Sequence, residues 1–157
     1  MVTASDEEIL LKMASNLING LLEGVSELTV ETQMKVMEYC GFACANDEHW
    51  GCAIQIAKGI AIEETQEERI LERANTEIQW CGEWVRNESG FESTCVSCGC
   101  LLSRKGIIKM TPTMCLCSRG WVKAIFHTLY GRPVDVELVS SIGRGDDHCK
   151  YSVRLGE

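Results

Sequence analysis

The chain has 157 residues and a mass of 17.5 kDa, the size of one ordinary domain and enough to bury a hydrophobic core. Its 45% apolar residues, two prolines and 14 glycines exclude a disordered or fibrous chain. A net charge of −8 argues against nucleic-acid and anionic-membrane partners, which want a basic surface.

The charge is unevenly placed. Residues 1–92 carry 18 acids and 6 bases, and residues 93–157 carry 5 acids and 9 bases. Acidic helix faces turned to solvent account for the first half. The opposite signs would also draw the two halves together, or draw a second copy, and the basic half could attract an anionic small molecule. Met1 leads straight into the acidic Ser5-Asp6-Glu7-Glu8 stretch, with no secretory pattern. No apolar run approaches the roughly 20 residues that cross a bilayer. The expected location is cytoplasmic, where thiols stay reduced and clustered cysteines bind metal or react. That matters here because the chain has ten cysteines.

The first half reads as helices. Ile9, Leu10, Met13, Leu17 and Leu21 recur at the spacing of one buried helical face, with Ser5 or Asp6 as cap. A second helix starts near Thr29, with Val30, Met34, Met37, Gly41 and Cys44 in one stripe. A third covers about 48–62, with Cys52, Ile56 and Ile60 on a face. Thr65-Gln66-Glu67-Glu68 has the form of a capping box and opens a fourth helix carrying Ile70, Ala74, Ile78 and Cys81. Asn87-Glu88-Ser89-Gly90 breaks the helical pattern.

The second half changes character. Residues 91–102 and 106–110 read as strands joined through Ser103-Arg104-Lys105-Gly106. Thr111-Pro112-Thr113 introduces a long helix with Cys117, Trp121, Ile125 and Leu129 inward, ended by Gly131 and Pro133. Val134, Val136 and Leu138 alternate with acids. Cys149, Tyr151, Val153 and Leu155 alternate with polar residues, and Gly143-Arg144-Gly145-Asp146-Asp147 supplies turn chemistry between the two runs. The expected fold class is α+β: a helical part (1–88) packed on a small antiparallel sheet that carries one long C-terminal helix (89–157), in a single domain.

The sharpest chemical signal is Cys95-Val96-Ser97-Cys98-Gly99-Cys100, followed by Cys115-Leu116-Cys117. A C-x-x-C turn points two thiolates at one ion, and a second pair completes a tetrahedral sulfur site for zinc or an iron–sulfur cluster. The alternative is that Cys95 and Cys117 fill core positions as small hydrophobes. Cys40, Cys44, His49 and Cys52 form a second candidate group, since 40/44 and 49/52 sit one helical turn apart; core packing is the competing reading. There is no phosphate-binding glycine loop, G-x-S-x-G elbow or H-E-x-x-H motif. His148 and Cys149 fall on opposite strand faces, so no local nucleophile–base pair can be read.

Cys117-Ser118-Arg119-Gly120-Trp121, Gly131-Arg132-Pro133-Val134, Val136-Glu137 and Gly145-Asp146-Asp147-His148-Cys149-Lys150-Tyr151 resemble the 4-vinyl reductase-type domain. That resemblance implies an α+β small-molecule-binding domain, found in bacteriochlorophyll biosynthesis proteins and in aromatic-sensing regulators, often a homodimer with bound zinc. It implies Cys149 and Glu137 as candidate ligands. Where the family often has a further cysteine this chain has Ser140, so the metal site would move to Cys95, Cys98, Cys100, Cys115 and Cys117. The same region is similar to the L-2-amino-thiazoline-4-carboxylate hydrolase-like family, whose cysteine-rich relatives in anaerobic bacteria resemble Met37-Glu38-Tyr39-Cys40-Gly41-Phe42-Ala43-Cys44-Ala45.

The leading expectation is a small-molecule-binding or sensory module with a cysteine-held zinc. Its pocket would be walled by Trp121, Phe126, Glu137, Cys149 and Tyr151. A hydrolase and an iron–sulfur redox protein are the rivals.

Overall fold

Apolar side chains pack against both sides of one helix, and that helix organises the chain. In the computed structural model, which describes residues 4–48 and 52–157, the helices of the first half are α1 (Ala4–Ser26), α2 (Val30–Ala45), α3 (Ala53–Glu63) and α4 (Glu67–Glu77). There follow β1 (Trp84–Asn87), β2 (Gly90–Cys95), α5 (Leu101–Arg104), α6 (Pro112–Cys115), α7 (Cys117–Tyr130), β3 (Val134–Ser140), a 3-10 turn (Ile142–Arg144) and β4 (Cys149–Leu155). The strands form one antiparallel sheet in the order β1-β2-β4-β3. The class is α+β.

Period-2 alternation gives the sheet one buried face. Trp84, Phe91, Cys95, Val136, Leu138, Cys149, Tyr151 and Val153 point inward against Val122 and Phe126 of α7. The outward face carries ion pairs such as Lys150–Glu92 (3.3 Å) and Arg154–Asp135 (2.9 Å). The other side of α7 presents Ile125 and Leu129 to Ile54, Ala57 and Ile60 of α3 and to Ile70 and Ala74 of α4. Trp80 joins the two clusters: its ring lies 5.4 Å from Trp84 and 5.2 Å from Trp121, both edge-on, and its Nε1 donates to the Ala74 carbonyl at 2.7 Å. Edge-to-face aromatic pairs of this kind add roughly 0.5–1.5 kcal/mol each beyond area burial.

The contact of α2 with α7 is made by backbone. A Cβ on Gly41 would overlap the Cys117 carbonyl, and a Cβ on Gly120 would overlap the Glu38 carbonyl. Lys123 pairs with Glu38 at 3.1 Å alongside this crossing.

Several expectations need correction. The helix expected from Thr111 is broken at Leu116 into α6 and α7; α7 has 14 residues, fewer than α1 with 23, and a hairpin follows it. There is thus no single long C-terminal helix. Strand β2 stops at Cys95, and residues 101–104 are helical. The chain leaves the ladder where Val96 turns out to solvent at 83% exposure. Asn87–Gly90 is the turn of a β1–β2 hairpin, in which Asn87 Oδ1 accepts from the Ser89 N–H at 3.0 Å and Gly90 takes φ 143°. The capping box does not form: Gln66 caps α4, without a side-chain bond. Helix α3 starts at Ala53, after Cys52 at φ 43°. In α2 the buried line is Met37, Gly41 and Ala45, leaving Val30 and Cys44 exposed. The stripe of α1 is not buried at all, with Leu10, Met13, Leu17 and Leu21 exposed by 57%, 62%, 65% and 62%.

The crossing gives a direct test. Gly41→Ala should cost about 3 kcal/mol through overpacking against unyielding backbone, and lower Tm by about 5–10 °C. Gly59→Ala in α3, where a Cβ meets nothing within 4 Å, should instead raise stability by up to about 1 kcal/mol. Thermal unfolding followed by circular dichroism reads both.

Candidate functional site

The glycine crossing determines where several sulfurs go. Cys40 and Cys44 flank Gly41 on α2, and the carbonyl that Gly41 meets belongs to Cys117, the first residue of α7. Thr111 starts α6, its Oγ1 accepting from the Met114 N–H at 3.1 Å, with Pro112 at the first helical position. That start fixes Cys115, which is buried and directs its thiol to Met110 Sδ at 3.3 Å. Gly143 lies against the same sulfur, where a side chain would not fit. On the sheet, Cys149 stands opposite Cys95, and its Sγ accepts from the Ile142 N–H at 3.4 Å. Beyond β2 the chain curls through Cys98 and Cys100, with Cys98 Sγ accepting from the Cys100 N–H at 3.4 Å.

Seven free cysteines, Cys40, Cys44, Cys98, Cys100, Cys115, Cys117 and Cys149, are therefore linked through pairwise electrostatic influence. Their charges are mutually felt. Burial pushes the Cys117 thiol far up, and Cys100, Cys44, Cys40 and Cys115 raise it further. Burial also raises Cys98, reinforced by Cys100, Cys115 and Cys149 although the Cys100 N–H opposes it. Cys44 is raised by desolvation, then by Cys100, Asp47 and Cys40. Cys149 is raised by desolvation, against the pull of the Ile142 N–H. Cys44, Cys98, Cys117 and Cys149 are thus held protonated at neutral pH by their surroundings and by their neighbours.

The two sequence groups are in this way partly one. Cys44 and Cys40 join Cys100 and Cys117, whereas Cys52 sits at the N-cap of α3. His49 lies outside the described residues. Cys95 offers no thiolate in this state, because its sulfur is bonded to Cys81. Cys81 follows the end of α4 and is not helix core. This corrects the expectation that every cysteine is reduced. Among the described residues no group of three or more His, Cys, Asp or Glu side chains already converges closely enough to hold a metal ion.

The residues named as pocket walls do not enclose a common space. Phe126 and Tyr151 are packed in the core at 0% and 6% exposure, and Trp121 lies edge-on to Trp80. Glu137 points to the solvent face of β3, opposite in direction to Cys149 and Tyr151. Glu137 and Cys149 therefore cannot share one ion. A shallow depression of about 430 Å³ lies instead at the far end of α7, lined by Glu64, Glu67, Thr128 and Tyr130. The Tyr130 hydroxyl is buried there without a hydrogen-bond partner; burial and the nearby Glu67 raise its pKa.

The residues that carried the family resemblance hold turns and edges. Arg119 Nε donates to the Val136 carbonyl at 2.9 Å, tying α7 to β3. Gly131 closes α7 at φ 63°, Arg132 Nε donates to the Gly156 carbonyl at 2.8 Å, and Asp146 accepts from the Ser141 N–H at 2.7 Å. The Cys81–Cys95 bond escaped the sequence reading because only the β1–β2 hairpin brings its ends together. Its one local signal is Gly82, which leaves room for the Thr94 carbonyl.

Compared with known proteins, residues 25–156 match a family of unknown function (DUF6144), and the chain belongs to that family. No curated protein and no solved structure matches it.

Titration with a thiol reagent should find eight reactive sulfurs in protein unfolded without reductant, and all ten after reduction. Mass mapping of the first sample should place the missing pair in the peptides containing Cys81 and Cys95.

Proposed function

We propose that this protein is a cysteine-rich sensory domain that binds a thiophilic metal, zinc or an iron–sulfur cluster, chiefly through Cys98, Cys100, Cys115 and Cys117, with Cys44 as a further donor. The observation that carries this reading is the gathering of seven free thiols from α2, the loop after β2, α6, α7 and β4. Four thiolates suit zinc or an iron–sulfur cluster in a closed site. Neighbouring thiols oppose each other's ionisation, and a bound cation would remove that opposition.

The same reading places the protein in the cytoplasm, consistent with no helix of the described residues being long and apolar enough to cross a membrane. Disulfides in that compartment are usually transient and redox-sensing, so Cys81–Cys95 would report on redox state beside the metal. The relation of the C-terminal segment to 4-vinyl reductase-type domains, with their small-molecule ligands, belongs to this proposal too.

Metal analysis and the absorption spectrum of anaerobically purified protein test it. The expected result is about one zinc per chain, or a brown protein with cluster bands. Cys100→Ser and Cys117→Ser should each lower bound metal at least several-fold; unchanged content in both would sink the ligand set. The Cys44, Cys98 and Cys117 thiols are pushed above their ordinary range, so binding at them must displace protons. Apparent affinity should accordingly rise from pH 6 to pH 8, with proton release measurable in weakly buffered solution.

A further inference from the structure

The Cys81–Cys95 bond has two unlike ends. Cys95 is 1% exposed, whereas Cys81 lies at the surface. The sheet puts a third sulfur beside the buried end. Strands β2 and β4 pair so that Cys95 and Cys149 stand directly opposite, both on the inward face. Opposite residues of antiparallel strands have Cα atoms about 4.5–5.5 Å apart, inside the range of about 4.4–6.8 Å that a disulfide spans. Cys149 is a free thiol.

The topology also sets the direction of approach. In the order β1-β2-β4-β3, β2 lies between β1 and β4. Cys81 belongs to the segment that leads into β1, where Gly82 packs on the Thr94 carbonyl too closely to admit a side chain. Cys81 therefore reaches Cys95 from the β1 side, and Cys149 faces Cys95 from the β4 side. Thiol–disulfide exchange wants that arrangement, because the attacking sulfur enters opposite the one that leaves. Other nearby sulfurs are turned elsewhere: Cys98 Sγ accepts from the Cys100 N–H at 3.4 Å, and the Cys115 thiol is directed to Met110 Sδ at 3.3 Å.

We propose that Cys149 exchanges with the Cys81–Cys95 disulfide, moving the bond to Cys95–Cys149 and freeing Cys81 as an exposed thiol. Cys149 gives up its proton and its Sγ bonds to Cys95 Sγ. The Cys81–Cys95 bond breaks, and Cys81 leaves with the electron pair and takes up a proton. The number of disulfides is unchanged, so no oxidant or reductant is consumed. The Ile142 N–H, 3.4 Å from Cys149 Sγ, supports the charge as the proton leaves. A bond that reaches the surface is thereby replaced by one between residues 1% and 8% exposed. The freed Cys81 becomes a modification site for small disulfides RSSR, which would cap it as Cys81–S–SR and release RS⁻. This inference rests on the redox part of the proposed function and not on the metal.

Alkylation trapping of the native, oxidised full chain tests it. The chain is held with iodoacetamide, without added thiol, and then mapped by mass. The expected product carries the label on Cys81 and a bond between Cys95 and Cys149. Cys149→Ser should slow labelling of Cys81 about tenfold or more. Cys81→Ser, oxidised with glutathione disulfide, should form the Cys95–Cys149 bond, which checks the reach without altering Cys149. A Cys81 that is never labelled, equal labelling in Cys149→Ser, no Cys95–Cys149 bond in Cys81→Ser, or a new bond from Cys95 to Cys98 would each overturn the proposal. The starting map separates the two readings. A chain isolated without the Cys81–Cys95 bond defeats the redox reading and the exchange with it, whereas a bond that is present and never moves defeats the exchange alone.

Discussion

The close approach of α2 to α7 is the constraint on which the rest depends. Two glycines, Gly41 and Gly120, let backbone touch backbone across the crossing. Any side chain at either place would push the helices apart by the thickness of a methyl group or more. That separation would move Cys40 and Cys44 away from Cys117, and would open the space that Met37 and Ala45 close. The same helix α7 then sorts its remaining residues between two partners, Val122 and Phe126 to the sheet, Ile125 and Leu129 to α3 and α4. Fold and thiol cluster thus share one cause.

Local pattern revealed what it physically could. The hairpin of β3 and β4 was legible because strict alternation of Val134, Val136 and Leu138 with acids has one solution on a half-buried sheet, and Gly145 at φ 95° permits the turn. Helices α2 to α4 were legible in outline from 3.6-residue periodicity, though their ends shifted by several residues. Residues 96–110 were not. Their apolar residues suggested strands, but a strand needs a neighbour. The free edges of the sheet are those of β1 and β3, and β2 is already flanked by β1 and β4. The thiol cluster was half legible: spacing grouped Cys95, Cys98, Cys100, Cys115 and Cys117, of which Cys95 is bonded to Cys81, while the addition of Cys40, Cys44 and Cys149 depends on a helix crossing and a strand register that no short motif encodes.

Helix α1 shows the limit of periodicity as an argument. Leu10, Met13, Leu17 and Leu21 have the spacing of a buried face, yet each is more than half exposed. Spacing reports which residues share a side of the helix and says nothing about what that side meets. The hydrogen bonds of Ser15 and Asn19 to residues 107 and 109 settle which side of the helix faces its own chain, and these were the polar positions of the pattern. An amphipathic helix can be fixed to its domain by its polar side.

The chemistry of the cluster follows from the cost of ionising it. Neutral thiols are small hydrophobic groups and need no special compensation. Two adjacent thiolates in the half-buried space around Cys98 and Cys117 would be costly, which is why burial and neighbours together hold these two groups protonated. Two events relieve that cost. A bound cation neutralises the thiolates, and oxidation to a disulfide removes them, as it already does for Cys81 and Cys95. Cys95 stands opposite Cys149 on the sheet and begins the C-x-x-C turn that ends at Cys98, so while it is bonded to Cys81 it is withdrawn from any metal set. On the proposed metal-binding reading, metal occupancy and disulfide state would be coupled, since reducing the Cys81–Cys95 bond would return Cys95 to the available donors.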